Sequence, residues 1–159
     1  MTERRYTALI ERLKQVGLRP TRQRLALAKL LFDPSGSESA PLPAVGEPAA
    51  ARGCDRHITA EQLHDEAVTA GQPVSLATVY NTLHQFTEAG LLREVVVEPG
   101  RSYFDTNVSD HHHFFFEGNG RLLDIPGDQI QLADLPSAPE GSRILRVDVI
   151  VRLADGEAD

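Results

Sequence analysis

The sequence predicts an α+β protein in two parts: an N-terminal winged helix-turn-helix unit and a small C-terminal α/β unit. Three observations predict it. Apolar residues recur at helical spacing up to about residue 90, and two-residue alternation takes over beyond it. Between residues 59 and 104, a capped helix, a short turn, a second capped helix and a hairpin follow one another.

The elements follow in order. Residues 2–16 carry Tyr6, Leu9, Ile10, Leu13 and Val16 on one helical stripe, and Gly17-Leu-Arg-Pro20 breaks it. Thr21 can cap a second helix with the stripe Leu25, Ala28, Leu31 and Phe32. The stretch 33–56 holds four prolines, three glycines and almost no large apolar side chain, which reads as a flexible insertion. Thr59-Ala-Glu-Gln62 matches a capping box, and its helix should end near Gly71. Ser75 caps the next helix, whose stripe is Leu76, Val79, Leu83 and Phe86 and which ends at Gly90. Leu91–Val97 and Arg101–Phe104 form a hairpin about Glu98-Pro-Gly100. Further on, Phe114–Glu117, Arg121–Ile125 and Arg143–Leu153 read as strands, with a turn at Gly118-Asn-Gly120 and a short helix within Asp128–Leu135.

In such a unit the second helix enters the DNA major groove. Its outward residues here would be Ala77, Thr78, Tyr80, Asn81 and His84, with Gln85 nearby. These uncharged groups can hydrogen-bond base edges or touch a thymine methyl. A helical hairpin with a merely polar face is the bland alternative. The alternating apolar face of the last strand suits a sheet edge shared between two copies, and a symmetric dimer matches palindromic DNA.

The totals bound the classes. The chain has 159 residues, 41% of them hydrophobic and 25% charged, enough for one medium domain or two small ones. No apolar run reaches the length of a membrane span, and the polar start Met1-Thr-Glu-Arg-Arg5 is not a signal peptide, so the expected compartment is the cytoplasm. One cysteine, Cys54, excludes an internal disulfide and a Cys-rich zinc site. The net charge of −7 is unevenly spread: residues 1–32 carry eight basic and two acidic side chains, the remainder eight basic and 21 acidic. A basic end on an acidic body can attract phosphate at one end and cations at the other, although a solvated helix face explains it as simply.

The run from Asp105 to His113 gathers three imidazoles and two carboxylates within nine residues. That donor mixture suits Fe2+, Zn2+, Mn2+ or haem iron, while the bland alternative is a solvated turn before a buried strand. If the run is extended, His111 and His113 share one face and His112 takes the other.

The stretches Gly17-Leu-Arg-Pro-Thr-Arg-Gln-Arg24, His57-Ile-Thr-Ala-Glu-Gln-Leu63, Val74-Ser-Leu-Ala-Thr-Val-Tyr-Asn-Thr-Leu83, Ala89-Gly-Leu-Leu92, Arg101-Ser-Tyr-Phe-Asp105, the His cluster and Gly120-Arg-Leu-Leu-Asp124 follow in order. A chain so built resembles the ferric uptake regulator (Fur) superfamily. With Tyr103-Phe-Asp-Thr-Asn-Val108 ahead of the His cluster and Val147-Asp-Val-Ile-Val-Arg-Leu153 near the end, it looks most like the iron response regulator (Irr) branch of α-proteobacteria. The resemblance implies a regulatory metal site at His57, Asp105, His111, His113 and Asp124, with Fe2+, Mn2+ or Zn2+ as the ion. It implies haem ligation by His111, His112 or His113. It also implies base contacts by Tyr80, with Asn81 and Thr78 alongside, and a minor-groove contact by Arg19 in an A·T-rich, palindromic operator. The family's structural zinc site is absent, because Phe116-Glu-Gly-Asn119 stands where Cys-x-x-Cys would be. A further metal site through His112 would fall on Gln131 and Val147 and is lost or altered.

The implied division is 1–98 as winged-helix DNA-binding domain with the 33–56 insertion, 99–106 as wing end and hinge, and 107–159 as α/β dimerisation and metal- or haem-binding domain. The expected function is a homodimeric transcriptional regulator, mainly a repressor, of iron and haem metabolism, and not an enzyme. The rival within the superfamily is a peroxide sensor, or a generic sensor of ferrous iron or zinc. A rival of another class is a His/Asp metallohydrolase, for which no nucleophile or general base stands out.

Overall fold

A computed structural model describes residues 2–32 and 56–156. The expected insertion, apart from Arg56, lies outside the described residues, as does Cys54. The chain divides into two units, Met1–Ser109 and Asp110–Asp159.

The first unit contains α1 (Thr2–Gln15), α2 (Arg22–Phe32), β1 (His57–Ile58), α3 (Ala60–Thr69), α4 (Leu76–Glu88), β2 (Arg93–Glu98) and β3 (Arg101–Asp105). Its helices start where capping chemistry dictates. The Thr59 hydroxyl accepts the Gln62 N–H at 3.1 Å while the Gln62 side chain accepts the Thr59 N–H at 3.0 Å. Ser75 does the same for α4, its Oγ accepting the Thr78 N–H at 3.1 Å. Such caps are worth about 1 kcal/mol each. At the end of α4, Gly90 takes φ +79°, a left-handed conformation that a side chain would oppose, and lets the Leu91 N–H return to the Phe86 carbonyl at 2.9 Å.

Leu9, Leu13, Leu25, Leu27, Ala28, Leu31, Leu63, Val79, Leu83, Phe86 and Phe104 form the core of this unit. α2 is buried on a wider arc than its expected stripe, because Leu27 is enclosed as fully as Ala28. Two expected core residues instead face solvent: Tyr6 is 41% exposed on α1 and Leu76 is 37% exposed at the first turn of α4. Both stand near helix starts, where fewer neighbouring turns are available to cover them. The three strands form one antiparallel sheet in the order β1-β3-β2, with the β2–β3 hairpin as the wing.

The second unit contains β4 (His111–Phe116), β5 (Leu122–Pro126), a 3-10 turn (Gly127–Gln129) and β6 (Ile150–Leu153). β4 is the central strand, antiparallel to β5 and parallel to β6. Phe115 is fully buried on one face, while Phe114 and Phe116 on the other are partly covered, so the run Phe114-Phe115-Phe116 has apolar surroundings on one side and partial cover on the other.

Two expectations are corrected here. The helix expected within Asp128–Leu135 is only the turn Gly127–Gln129, since two apolar side chains (Leu132 and Leu135), both about half exposed, cannot bury a helix face. The strand expected over Arg143–Leu153 forms its ladder only at Ile150–Leu153, and Leu145 ahead of it is 81% exposed. Alternation specifies a strand's faces but supplies no partner for its backbone.

Candidate metal and nucleic-acid sites

The exposed face of α4 carries Ala77, Tyr80, Asn81 and His84, while Thr78 is half-buried. Val79, Leu83 and Phe86 hold the opposite face in the core, which fixes the helix orientation within its unit. Arg24 of α2 clamps it further, its guanidinium donating twice to the Gln85 side-chain oxygen at 3.2 and 2.9 Å. The same guanidinium reaches the Arg19 carbonyl at 2.9 Å, so the exposed Arg19 is held by its backbone to this clamp.

Tyr80 is engaged rather than loose. Its hydroxyl donates to a Glu61 carboxylate oxygen at 2.6 Å. That bond is the main cause holding the Glu61 carboxyl below its usual range, and it likewise raises the Tyr80 phenol. Beside the pair lies a cleft of about 440 Å³ between α4 and the wing, lined by His84, Glu94, Arg101 and Phe104 among others.

His57 and Asp105 are brought together by strand register. β1 and β3 place them directly opposite one another, with His57 Nε2 3.1 Å from Asp105 Oδ2. Arg56 extends that pairing: its N–H donates to the Thr106 hydroxyl at 2.9 Å, and its carbonyl accepts the Thr106 N–H at 3.0 Å. Its guanidinium is held in turn by Glu66 and the Leu30 carbonyl, which ties β1 to two helices. Asp105 is buried, and its other oxygen accepts the Asn107 N–H at 2.8 Å. On its far side the register partner is the buried Arg93, so a row His57–Asp105–Arg93 crosses the sheet. Asp105 is thus a buried carboxyl within reach of the His57 imidazole, and a carboxyl ligates a cation in its ionised form.

The second unit gathers His111, His113 and Asp124. β4 is extended, so His111 and His113 share a face, and register sets Asp124 opposite His113. Their Nε2 atoms are 3.0 Å apart, and each is 3.5 or 3.4 Å from Asp124 Oδ1. Ligands bonded at about 2.1 Å to one ion stand about 3.0 Å apart in an octahedral arrangement and about 3.4 Å in a tetrahedral one. The three donors therefore fit a small divalent ion.

His111 and His113 do not fit as the two axial ligands of one haem. Two axial nitrogens of one haem iron stand trans, about 4 Å apart, because the macrocycle occupies the positions between them. His112, on the other face, accepts the Val149 N–H at 3.1 Å through Nδ1. A neutral imidazole accepting at Nδ1 carries its proton on Nε2 and has no lone pair there for iron.

Glu61, Arg24 and Arg93 were not singled out from the sequence. Glu61 looked like an ordinary first-turn acid of a capping box, and only the helix-turn-helix geometry brings it to Tyr80. Arg93 alternates with Val95 and Val97 on the buried side of β2, a visible signal for an inward-facing cation.

A model of the ferric uptake regulator family matches residues 51–151. The chain is 29% identical over 121 residues to the ferric uptake regulation protein of Klebsiella pneumoniae, covering 76% of this chain and 66% of that one. It is 30% identical over 120 residues to the protein of the same description from Vibrio cholerae, covering 75% and 67% respectively. The match thus spans about two thirds of the length of these relatives. The solved structure of the ferric uptake regulator from Pseudomonas aeruginosa with manganese overlaps 92% of this chain and 97% of its own, at 21% identity and a TM-score of 0.61. That likeness concerns the fold.

Proposed function

The chain belongs to the ferric uptake regulator family, and on that premise we propose that it is a DNA-binding transcriptional regulator controlled by a divalent metal. It is a regulator and not an enzyme. The observation that carries the reading is the donor triangle His111, His113 and Asp124, with edges of 3.0–3.5 Å in a strand that packing alone would not fill with imidazoles.

His57 and Asp105 supply a second donor pair, joined to His111 by a tether of only five residues after Asp105. We take the five side chains as one regulatory set. The bound ion would supply a positive charge and fixed ligand directions; Mn2+ or Fe2+ suits the nitrogen and oxygen donors, and Zn2+ is compatible. An ion that binds one of two states of the chain better than the other shifts the chain toward that state, which is what control by a ligand requires.

The DNA-reading face consists of Ala77, Thr78, Tyr80, Asn81 and His84 on α4, with Arg19 reaching the minor groove of an A·T-rich, palindromic operator. The protein acts as a cytoplasmic homodimer, as half-site symmetry requires. Iron supply, in the manner of the iron response regulator branch, is the field of regulation that the sequence pattern favours, with repression as the main output. The divalent ion is preferred to haem because of the cis spacing of His111 and His113 and the tautomer of His112. Calorimetric titration of the metal-free chain with Mn2+ tests the metal assignment. One ion per chain, lost in the variant Asp124→Ala with His111→Ala, is the expected result; undiminished binding by that variant overturns it.

A further inference from the structure

An acid on a surface meant for DNA repels phosphate, so Glu61 calls for an explanation. It stands in the first turn of α3, held there by the Thr59–Gln62 capping box, and its carboxylate accepts the Tyr80 O–H hydrogen bond at 2.6 Å. A phenol whose proton is committed to a carboxylate presents only its lone pairs elsewhere. The same oxygen left to itself would rotate and serve as donor or acceptor alike. In the major groove the hydrogen-bond donors on base edges are the amino groups of adenine and cytosine, whereas thymine O4 and guanine O6 and N7 are acceptors.

We propose that Glu61 is a specificity-determining positioning residue: by accepting the Tyr80 proton it fixes that phenol as an acceptor, so that Tyr80 selects adenine or cytosine at the base it meets. This rests on the reading of α4 as the DNA-contacting helix. The pair stays competent around neutral pH, since the shared bond keeps Glu61 ionised and Tyr80 protonated. Tyr80 remains 37% exposed, so the bond to the carboxylate does not enclose the side chain. The adjoining cleft under the wing gives the Glu61–Tyr80 pair room to keep its geometry when a base edge approaches.

The test selects bound sequences from a random-sequence duplex pool, with and without Mn2+, using the full chain and the variants Glu61→Ala, Glu61→Gln and Tyr80→Phe. A single net hydrogen bond is worth up to about tenfold in preference. The wild type should favour adenine or cytosine over thymine and guanine by up to about tenfold at one position per half-site. Tyr80→Phe and Glu61→Ala should both flatten that same position, while Glu61→Gln, whose amide oxygen still accepts the proton, should retain it. A Glu61→Ala preference identical to wild type, with Tyr80→Phe altered, overturns the role of Glu61 and leaves the DNA reading intact. Glu61→Gln as flat as Glu61→Ala overturns the hydrogen-bond assignment in favour of charge alone. Wild-type preference in Tyr80→Phe, or no enriched sequence at all under either condition, overturns the α4 reading and the proposal with it.

Discussion

Replacing His113 with alanine removes one corner of a donor triangle whose edges measure 3.0, 3.4 and 3.5 Å. The two remaining donors lose a partner at ligand spacing, and no other imidazole shares that face of β4 except His111. Even residues that merely orient metal ligands cost 10–100-fold in affinity when removed, so loss of a ligand itself should cost about 100-fold or more. At a free Mn2+ concentration about 1,000 times the wild-type Kd, binding stabilises the folded chain by about 4.1 kcal/mol. A 100-fold weaker site at the same concentration gives about 1.4 kcal/mol, a deficit of about 2.7 kcal/mol. For a chain of this size that is a metal-induced rise in melting temperature smaller by about 5–11 °C. Calorimetric melting with and without Mn2+ reads the difference, so any change in metal-free stability from truncating a buried ring cancels. A His113→Ala chain stabilised by Mn2+ as much as the wild type refutes the reasoning.

Three further outcomes follow from the same structure. Phe86→Ala empties the centre of the first unit's core, where Phe86 is fully buried, and should cost about 3–5 kcal/mol by urea unfolding; a cost below about 1 kcal/mol would contradict the packing described. His112→Ala leaves the Val149 N–H without its imidazole acceptor and should destabilise by about 1–3 kcal/mol, while leaving the Soret absorbance of added haem no different from wild type. The Glu61–Tyr80 bond has a pH window of known sign. The lowered Glu61 contributes stability above its ordinary value of 4.5 and loses it as pH falls through the depressed folded value; the raised Tyr80 contributes below 10.0 and loses it as pH rises beyond. An ultraviolet titration of tyrosinate should therefore show one phenol titrating later than in Glu61→Gln, and identical curves would contradict the bond.

Much of the first unit was legible because its signals are local. Thr59 and Ser75 cap their helices through chemistry contained within four residues, and the stripe Val79, Leu83 and Phe86 is set by helical period alone. Alternation likewise set His111 and His113 on one face and His112 on the other. What failed depended on partners that no local pattern names. Arg143–Leu153 alternates throughout, yet only Ile150–Leu153 finds β4 to pair with. A helix within Asp128–Leu135 needs a buried side for Leu132 and Leu135, but both remain exposed. Glu61 reaches Tyr80 across 19 residues through the angle between two helices, which composition does not encode. Asp105 could be singled out in sequence, whereas the row His57–Asp105–Arg93 emerges only from strand register.

The central claim is that a divalent ion held by the His/Asp donors controls what α4 reads. Its most direct test is the affinity of the full chain for a duplex selected from a random pool, measured by fluorescence anisotropy at constant ionic strength across a Mn2+ titration. The wild type should change affinity at least about tenfold between metal-free and saturated states, a coupling of about 1.4 kcal/mol, and His113→Ala should require a far higher Mn2+ concentration for the same change. A wild-type affinity indifferent to Mn2+, Fe2+ and Zn2+ alike would contradict the account.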